Sequence, residues 1–189
     1  DLIQDKKCTK SPISYDNKIV YVNWPYNPKL LMNKNHLISN SQDSILTNFV
    51  SSIEILNQEK TTILLSSSKE SNLLSEKEKV SLNILKKSTN IFEKEKTIGV
   101  LIEDEFTSIF SNLTSSSKLN PKLKSENNKM IIVADGDIIA NLHSPPNFYY
   151  PLGYYHYGRN VFDGNTNFIL NAIQFLCGDE SLIKIKYKK

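Results

Sequence analysis

Arginine is almost missing from this chain of 189 residues, with Arg159 the only one among 23 Lys and Arg. Arg supplies the bidentate contacts to phosphate and guanine, so its scarcity argues against a nucleic-acid site despite a net charge of +3. The Lys runs at 76–79 and 93–96 are interleaved with Glu and read as solvated faces. Cysteine is scarce too. Cys8 and Cys177 form no CxxC pair, and His36, His143 and His156 are too few and too isolated to complete a metal centre. The two thiols are compatible with one disulfide in an oxidising compartment or with two buried thiols. No run approaches the roughly 18 apolar residues of a spanning helix, and no signal peptide is visible. Gly-x-Ser-x-Gly, Walker-type and His-Glu-x-x-His motifs are all missing. Cys8 has no strand before it and Cys177 falls at a helix end, so neither makes the nucleophile elbow of an amidotransferase-type hydrolase. A phosphatase of the haloacid-dehalogenase type would need an early Asp-x-Asp, which does not occur.

What is present is ordinary for a globular domain, with 39% hydrophobic and 23% charged residues. The length suits one domain spanning 1–189. Its start at Asp1 reads as a mature or excised piece of a longer chain. Residues 1–17 look irregular, with a turn at Asp16-Asn17, and Ile19–Val22 reads as a strand stopped by Trp24-Pro25 and Pro28. Residues 43–49 suggest a short helix capped by Asp43, and residues 50–56 a strand. Three unbroken apolar runs follow: 61–65, 97–102 and 130–134. Each ends in polar residues, and runs apolar on both faces predict buried strands of an α/β sheet that is at least partly parallel. Residues 111–129 read as an exposed connection. Residues 165–176 carry helical periodicity up to Gly178, placed as a C-cap. Residues 183–189 look like a basic-ended strand.

Two constellations stand out. Asp135-Gly136-Asp137 follows a strand and precedes a short apolar helix, where two carboxylates either gather a divalent cation or cap the helix and close the turn. The first alternative makes a metal-dependent hydrolase a rival reading. Residues 145–159, with Tyr149, Tyr150, Tyr154, Tyr155, His156 and Tyr157, form an aromatic loop rich in Pro and Gly. It is a packed plug over the sheet edge, a stacking surface for sugar rings, or a partner interface.

The order of the motifs resembles that of a known family. Val22-Asn23-Trp24 with Pro28 is similar to the segment before that family's sheet core. His36-Leu37-Ile38-Ser39-Asn40 resembles its His-Pro-Ile-x-x-Asn, with Leu37 replacing Pro. Phe49–Glu54 and Ile63–Ser68 resemble Phe-x-Ser-Ser-Ile and Leu-Leu-x-Ser-Ser. Leu101–Phe110 resembles Leu-Leu-Glu-Gly-x-Phe-x-Ser-x-Phe, with Asp104 at the Gly, a departure that matters if a positive φ is needed there. Met130–Asn141 matches Met-Ile-Val-x-x-Asp-Gly-Asp-x-x-x-Asn. Pro151-Leu152-Gly153 and the segment Asn167–Ala172 match the Pro-Leu-Gly and Asn-x-x-Phe-x-x-Asn that follow it. The likeness runs along nearly the whole chain, and the family it points to is the GldG-type auxiliary component of an ABC transporter associated with gliding motility.

The resemblance implies a flavodoxin- or Rossmann-like core with a mostly parallel sheet flanked by helices, related to the amidotransferase-like superfamily without its catalytic residues. It also implies a periplasmic place on the cytoplasmic membrane of Bacteroidetes-type bacteria, through anchors outside this fragment. Permease and ATPase subunits are the implied partners, with no cofactor. A periplasmic location permits a Cys8–Cys177 disulfide. The expected function is non-enzymatic ligand or partner binding. The expected surface combines Glu103, Asp135 and Asp137 at strand ends with Tyr154, Tyr155, His156 and Arg159 of the loop.

Overall fold

The structure is a computed structural model that describes residues 2–74, 80, 94–111 and 122–187. The chain begins with β1 (Ile3–Asp5), β2 (Cys8–Tyr15) and β3 (Lys18–Met32). Asp16 and Asn17 join β2 to β3 with φ of 50° and 58°, the two positive values that a type I′ hairpin turn requires. The irregular start expected for residues 1–17 is therefore strand, although its turn is where the sequence puts it. β3 also runs on through Trp24, Pro25 and Pro28. The register jumps from Thr9↔Trp24 to Cys8↔Pro28, so residues 25–27 bulge out and Pro25 takes no ladder hydrogen bond.

Beyond the bulge, Leu30 pairs with Ile45 of β4 (Ile45–Leu46), in place of the helix expected over 43–49. His36 caps a single 3-10 turn, Leu37–Ser39, by accepting Ile38 N–H at 3.3 Å. Leu31 and Met32 then pair with β5 (Thr61–Ser66). After β6 (Ser71–Leu73), which pairs with β1, come β7 (Thr97–Thr107) and β8 (Lys124–Val133). The six-stranded sheet runs β2-β3-β5-β7-β8, with β4 beside β3. Residues 50–53 are extended without forming a strand of the sheet, with Ser51 N–H on Ala134 O and Ile53 N–H on Thr97 O. The Lys run at 76–79 lies outside the described residues, as does 112–121 of the expected connection; its remainder from Lys124 is strand.

Every strand pairing among the described residues is antiparallel. This overturns the mostly parallel, Rossmann-like α/β sheet expected from the sequence. The apolar runs do form strands of one sheet, but apolar character says nothing of strand direction. β8 is its edge strand, and Ile63, Met130 and Ile132 stay exposed on the second face, so that face is covered only in part. Leu101, Ile131 and Val133 join the main core, while Val100, Ile102 and Ile132 face residues 53–57 on the other side. An extended segment does there what a crossover helix does in a parallel fold.

The helices lie at the C-terminal end. α1 (Asp163–Leu176) carries the predicted periodicity, and Gly178 closes it at φ 84°, donating to Phe175 O at 3.2 Å. Its Phe168, Ala172 and Phe175 pack with Leu30, Leu64, Leu65 and Ile98 of the sheet. α2 (Glu180–Lys186) replaces the expected terminal strand. Of Ile183 and Ile185, which alternate like strand residues, only Ile183 is buried, and Glu180–Lys184 forms a helical i,i+4 ion pair at 3.4 Å. Cys8 on β2 and Cys177 at the end of α1 are both free thiols.

Candidate functional site

The Asp-Gly-Asp segment forms a 3-10 turn, Gly136–Ile139, held down by the buried Ile138. Asp135 is its N-cap, accepting Asp137 N–H at 2.8 Å. Asn48 straddles the two acids. Its backbone N–H donates to Asp135 at 3.1 Å and its side-chain amide to Asp137 at 3.1 Å. Phe49, at φ 53°, turns the chain just after Asn48 and donates its N–H to Tyr26 O at 2.9 Å. Burial pushes the Asp135 carboxyl above the usual carboxylate range, and the negative charge of Asp137 adds to this; the two N–H donors oppose it. Among the described residues no three His, Cys, Asp or Glu side chains gather as a metal site.

The aromatic loop folds into two small hairpins: β9 (His143–Ser144) with β10 (Phe148–Tyr149), then β11 (Tyr154–Tyr155) with β12 (Asn160–Val161). Tyr150 and Tyr154 stack with centroids 4.2 Å apart and planes within 8°, and His156 stands edge-on to both at 6.5 Å. Asn141 anchors the first hairpin by donating to Tyr150 O at 2.9 Å. Gly153 closes the Pro-Leu-Gly turn at φ 77°, where a Cβ would lie 2.3 Å from Phe162 O. Only glycine fits.

Hairpins, acidic turn and sheet together enclose an open cavity of about 620 Å³, within the usual range for small-molecule sites. Asp137, Leu142, His143 and the stacked tyrosines wall it, and Asn165 of α1 lies at its base. Asn165 pairs its amide with both main-chain groups of Leu46, at 2.8 and 2.9 Å. Two lining residues, Asn27 and Tyr155, carry a buried oxygen with no hydrogen-bond partner. No Lys or Arg lines the cavity among the described residues.

Of the residues expected at the site, Asp137, Tyr154, Tyr155 and His156 line this one cavity. Asp135 does not line it but is hydrogen-bonded to Asp137 and Asn48. Glu103 and Arg159 do not line it either. The parallel sheet would bring the strand ends to one edge; in the antiparallel ladder Glu103 lies mid-strand opposite Lys129, with which it ion-pairs at 3.2 Å. Lys129 also sits 3.8 Å from Glu180 and 4.0 Å over the Phe175 ring, a packing role. Arg159 is exposed in the β11–β12 turn at φ 50°. Asp104, in place of the family's Gly, has no positive φ and ion-pairs with Lys60 from within β7.

Sequence reasoning misses Asn27, Asn48 and Asn165. For Asn165 a signal exists: with Phe168 and Asn171 it forms an i, i+3, i+6 stripe, and all three are buried.

The molecule is thus a β-rich domain whose sheet carries an aromatic-walled cleft, with no Cys, Lys or Arg lining it among the described residues. A family profile described as ABC-type uncharacterized transport system matches residues 1–172, and the chain belongs to that family, that of ABC transporter auxiliary components. The matched stretch contains the whole sheet, the acidic turn and both hairpins. No curated protein and no solved structure matches the chain.

Proposed function

We infer that the protein is a non-enzymatic, extracytoplasmic auxiliary or substrate-binding component of an ABC transporter, of the GldG type associated with gliding motility. Its place is the periplasmic face of the cytoplasmic membrane, held by segments outside this chain. Permease and ATPase subunits are its partners. Family membership supports the transporter association, and the ordered motifs from Val22 to Ala172 support the finer assignment.

The observation that carries the binding role is the cavity. Its polar groups are amides, the hydroxyls of Thr47, Ser144 and the tyrosines, imidazoles and one carboxylate, set around a stacked tyrosine pair. Such a lining recognises and orients. The acids that would serve a hydrolase are engaged by Asn48 and by the helix cap. The Cys8 thiol, pushed up to about 11 by burial and by Asp5, is a poor nucleophile at neutral pH.

The test is co-purification of a tagged full-length protein from its native membrane under gentle detergent, with bound proteins identified by mass spectrometry. Permease and ATPase in the eluate are the expected result. Recovery without any transporter subunit overturns the reading.

A further inference from the structure

The cavity is furnished for a ligand rather than for its own closure. Asn27 and Tyr155 line it, and each carries an oxygen, Oδ1 and the hydroxyl, that is closed off from solvent and makes no hydrogen bond within the protein. A buried polar atom left alone carries a free-energy penalty, so two of them at one cavity mark a place where a polar partner belongs. Thr9 Oγ1 is unpartnered as well, and it lines with Tyr155 the adjoining cavity of about 280 Å³. All three gather where the β2–β3 bulge meets the second tyrosine hairpin.

The chemistry of the occupant follows from the charges. Phosphate, sulfate and carboxylate ligands are held by Arg forks or Lys ammonium groups, and neither residue lines the cavity among the described residues. A purely apolar ligand leaves the Asn27 and Tyr155 oxygens without partners. A cation finds a single carboxylate there, Asp137, already engaged by Asn48. What remains is a neutral molecule with a flat apolar face and hydroxyls on its rim.

We propose that the cavity binds a saccharide, its C–H face on the Tyr150–Tyr154 stack and its hydroxyls on Asp137 and, once their side chains rotate toward the ligand, on Asn27 and Tyr155. A pyranose ring presents hydrogens with little polarity on one face, which suits the electron-rich face of tyrosine. Its hydroxyls donate and accept. Asn27 Oδ1 and the Asp137 carboxylate take hydroxyl protons, and the Tyr155 hydroxyl serves either way. The proposal rests on the substrate-binding reading above and names the ligand class for it.

Isothermal titration of the full chain with cellobiose, maltose, mannobiose and chitobiose tests the proposal. At least one disaccharide binds, and Tyr154→Ala weakens it about tenfold or more, the scale of one lost stacking platform. Tyr154→Phe keeps the affinity. Tyr155→Phe and Asn27→Leu, which preserve shape and are checked for folding by circular dichroism, weaken binding several-fold. The proposal is overturned if none of the four disaccharides binds the folded protein. Binding that survives both Tyr154→Ala and Asn27→Leu also overturns it, as does binding of choline in place of every sugar. If the sugars fail while the transporter still co-purifies, the ligand class is wrong and the auxiliary-subunit reading stands. Sugar binding without a transporter retains the site and removes that reading.

Discussion

Asn165 closes a two-hydrogen-bond pair with the main chain of Leu46, its Oδ1 accepting at 2.8 Å and its Nδ2 donating at 2.9 Å across 119 residues of sequence. The side-chain amide imitates a neighbouring strand and completes the short β4 from the helix side. The same Nδ2 reaches Ile138 O at 3.2 Å, so one residue ties β4, the acidic turn and α1 together beneath the cavity.

Removing that amide leaves Leu46 N–H and two carbonyls without partners in a buried place. Asn165→Leu should therefore destabilise the fold by about 2–4 kcal/mol, the sum of one or two unsatisfied groups offset by apolar burial. Urea denaturation measures it, with an unchanged m-value expected. A loss below about 0.5 kcal/mol would show that water replaces the amide and that the clamp is not structural.

Asp135 gives a pH signature. Its folded pKa lies above the ordinary value because burial disfavours the charge and Asp137 repels it. A group that holds its proton more tightly when folded contributes stability fully below the unfolded pKa of about 3.9. That contribution is lost as pH rises through the folded pKa. Asp137→Asn removes the repelling charge, so the Asp135 carboxyl should titrate lower and the stability lost as pH rises through its titration should shrink. Carbon-13 NMR of the labelled carboxyl, with urea melts at stepped pH, reads both. An unmoved Asp135 titration in the variant would contradict the assignment.

Cys8 and Cys177 should separate cleanly toward iodoacetamide. Cys177 is exposed at the end of α1, whereas Cys8 is partly buried on β2 with its thiol pushed up to about 11. Thiolate is the reacting species, so at about pH 8 very little of Cys8 is reactive. Peptide mapping over time should find Cys177 modified first and Cys8 only after unfolding. Equal rates would show that β2 opens readily at its N-terminal end.

The apolar runs of β5, β7 and β8 and the periodicity of α1 are legible in the sequence because each is long and strongly patterned. Strand direction is not, since a run such as Ile98–Ile102 needs cover on both faces and is indifferent to whether a helix or residues 53–57 supply it. β3 hides behind Pro25 and Pro28, which read as breakers unless a bulge takes them up. At the site, the tyrosines and the two acids announce themselves by local density. Asn27 and Asn48 do not. The first reaches the cavity through a bulge and the second through a turn at a positive-φ Phe49, and neither geometry leaves a pattern in the residues around it. Glu103 errs for a related reason: the sequence gives no sign that β7 continues past it to Thr107.

The acidic turn itself makes the last prediction. A divalent cation at Asp135 and Asp137 needs carboxylate oxygens free to coordinate, and here Asn48 donates to both acids while Asp135 also caps the turn. Binding would mean breaking those bonds, and no third acidic, His or Cys ligand gathers there among the described residues. Millimolar Mg²⁺ or Mn²⁺ should therefore leave the melting temperature unchanged. A real site filled to about 100 times its Kd adds about 2.7 kcal/mol to the folded state, an increase of several degrees in Tm for a chain of this size. A rise of that kind, abolished by Asp137→Asn, would put the rival metal-dependent hydrolase ahead of the binding role. Differential scanning calorimetry with and without EDTA decides between them.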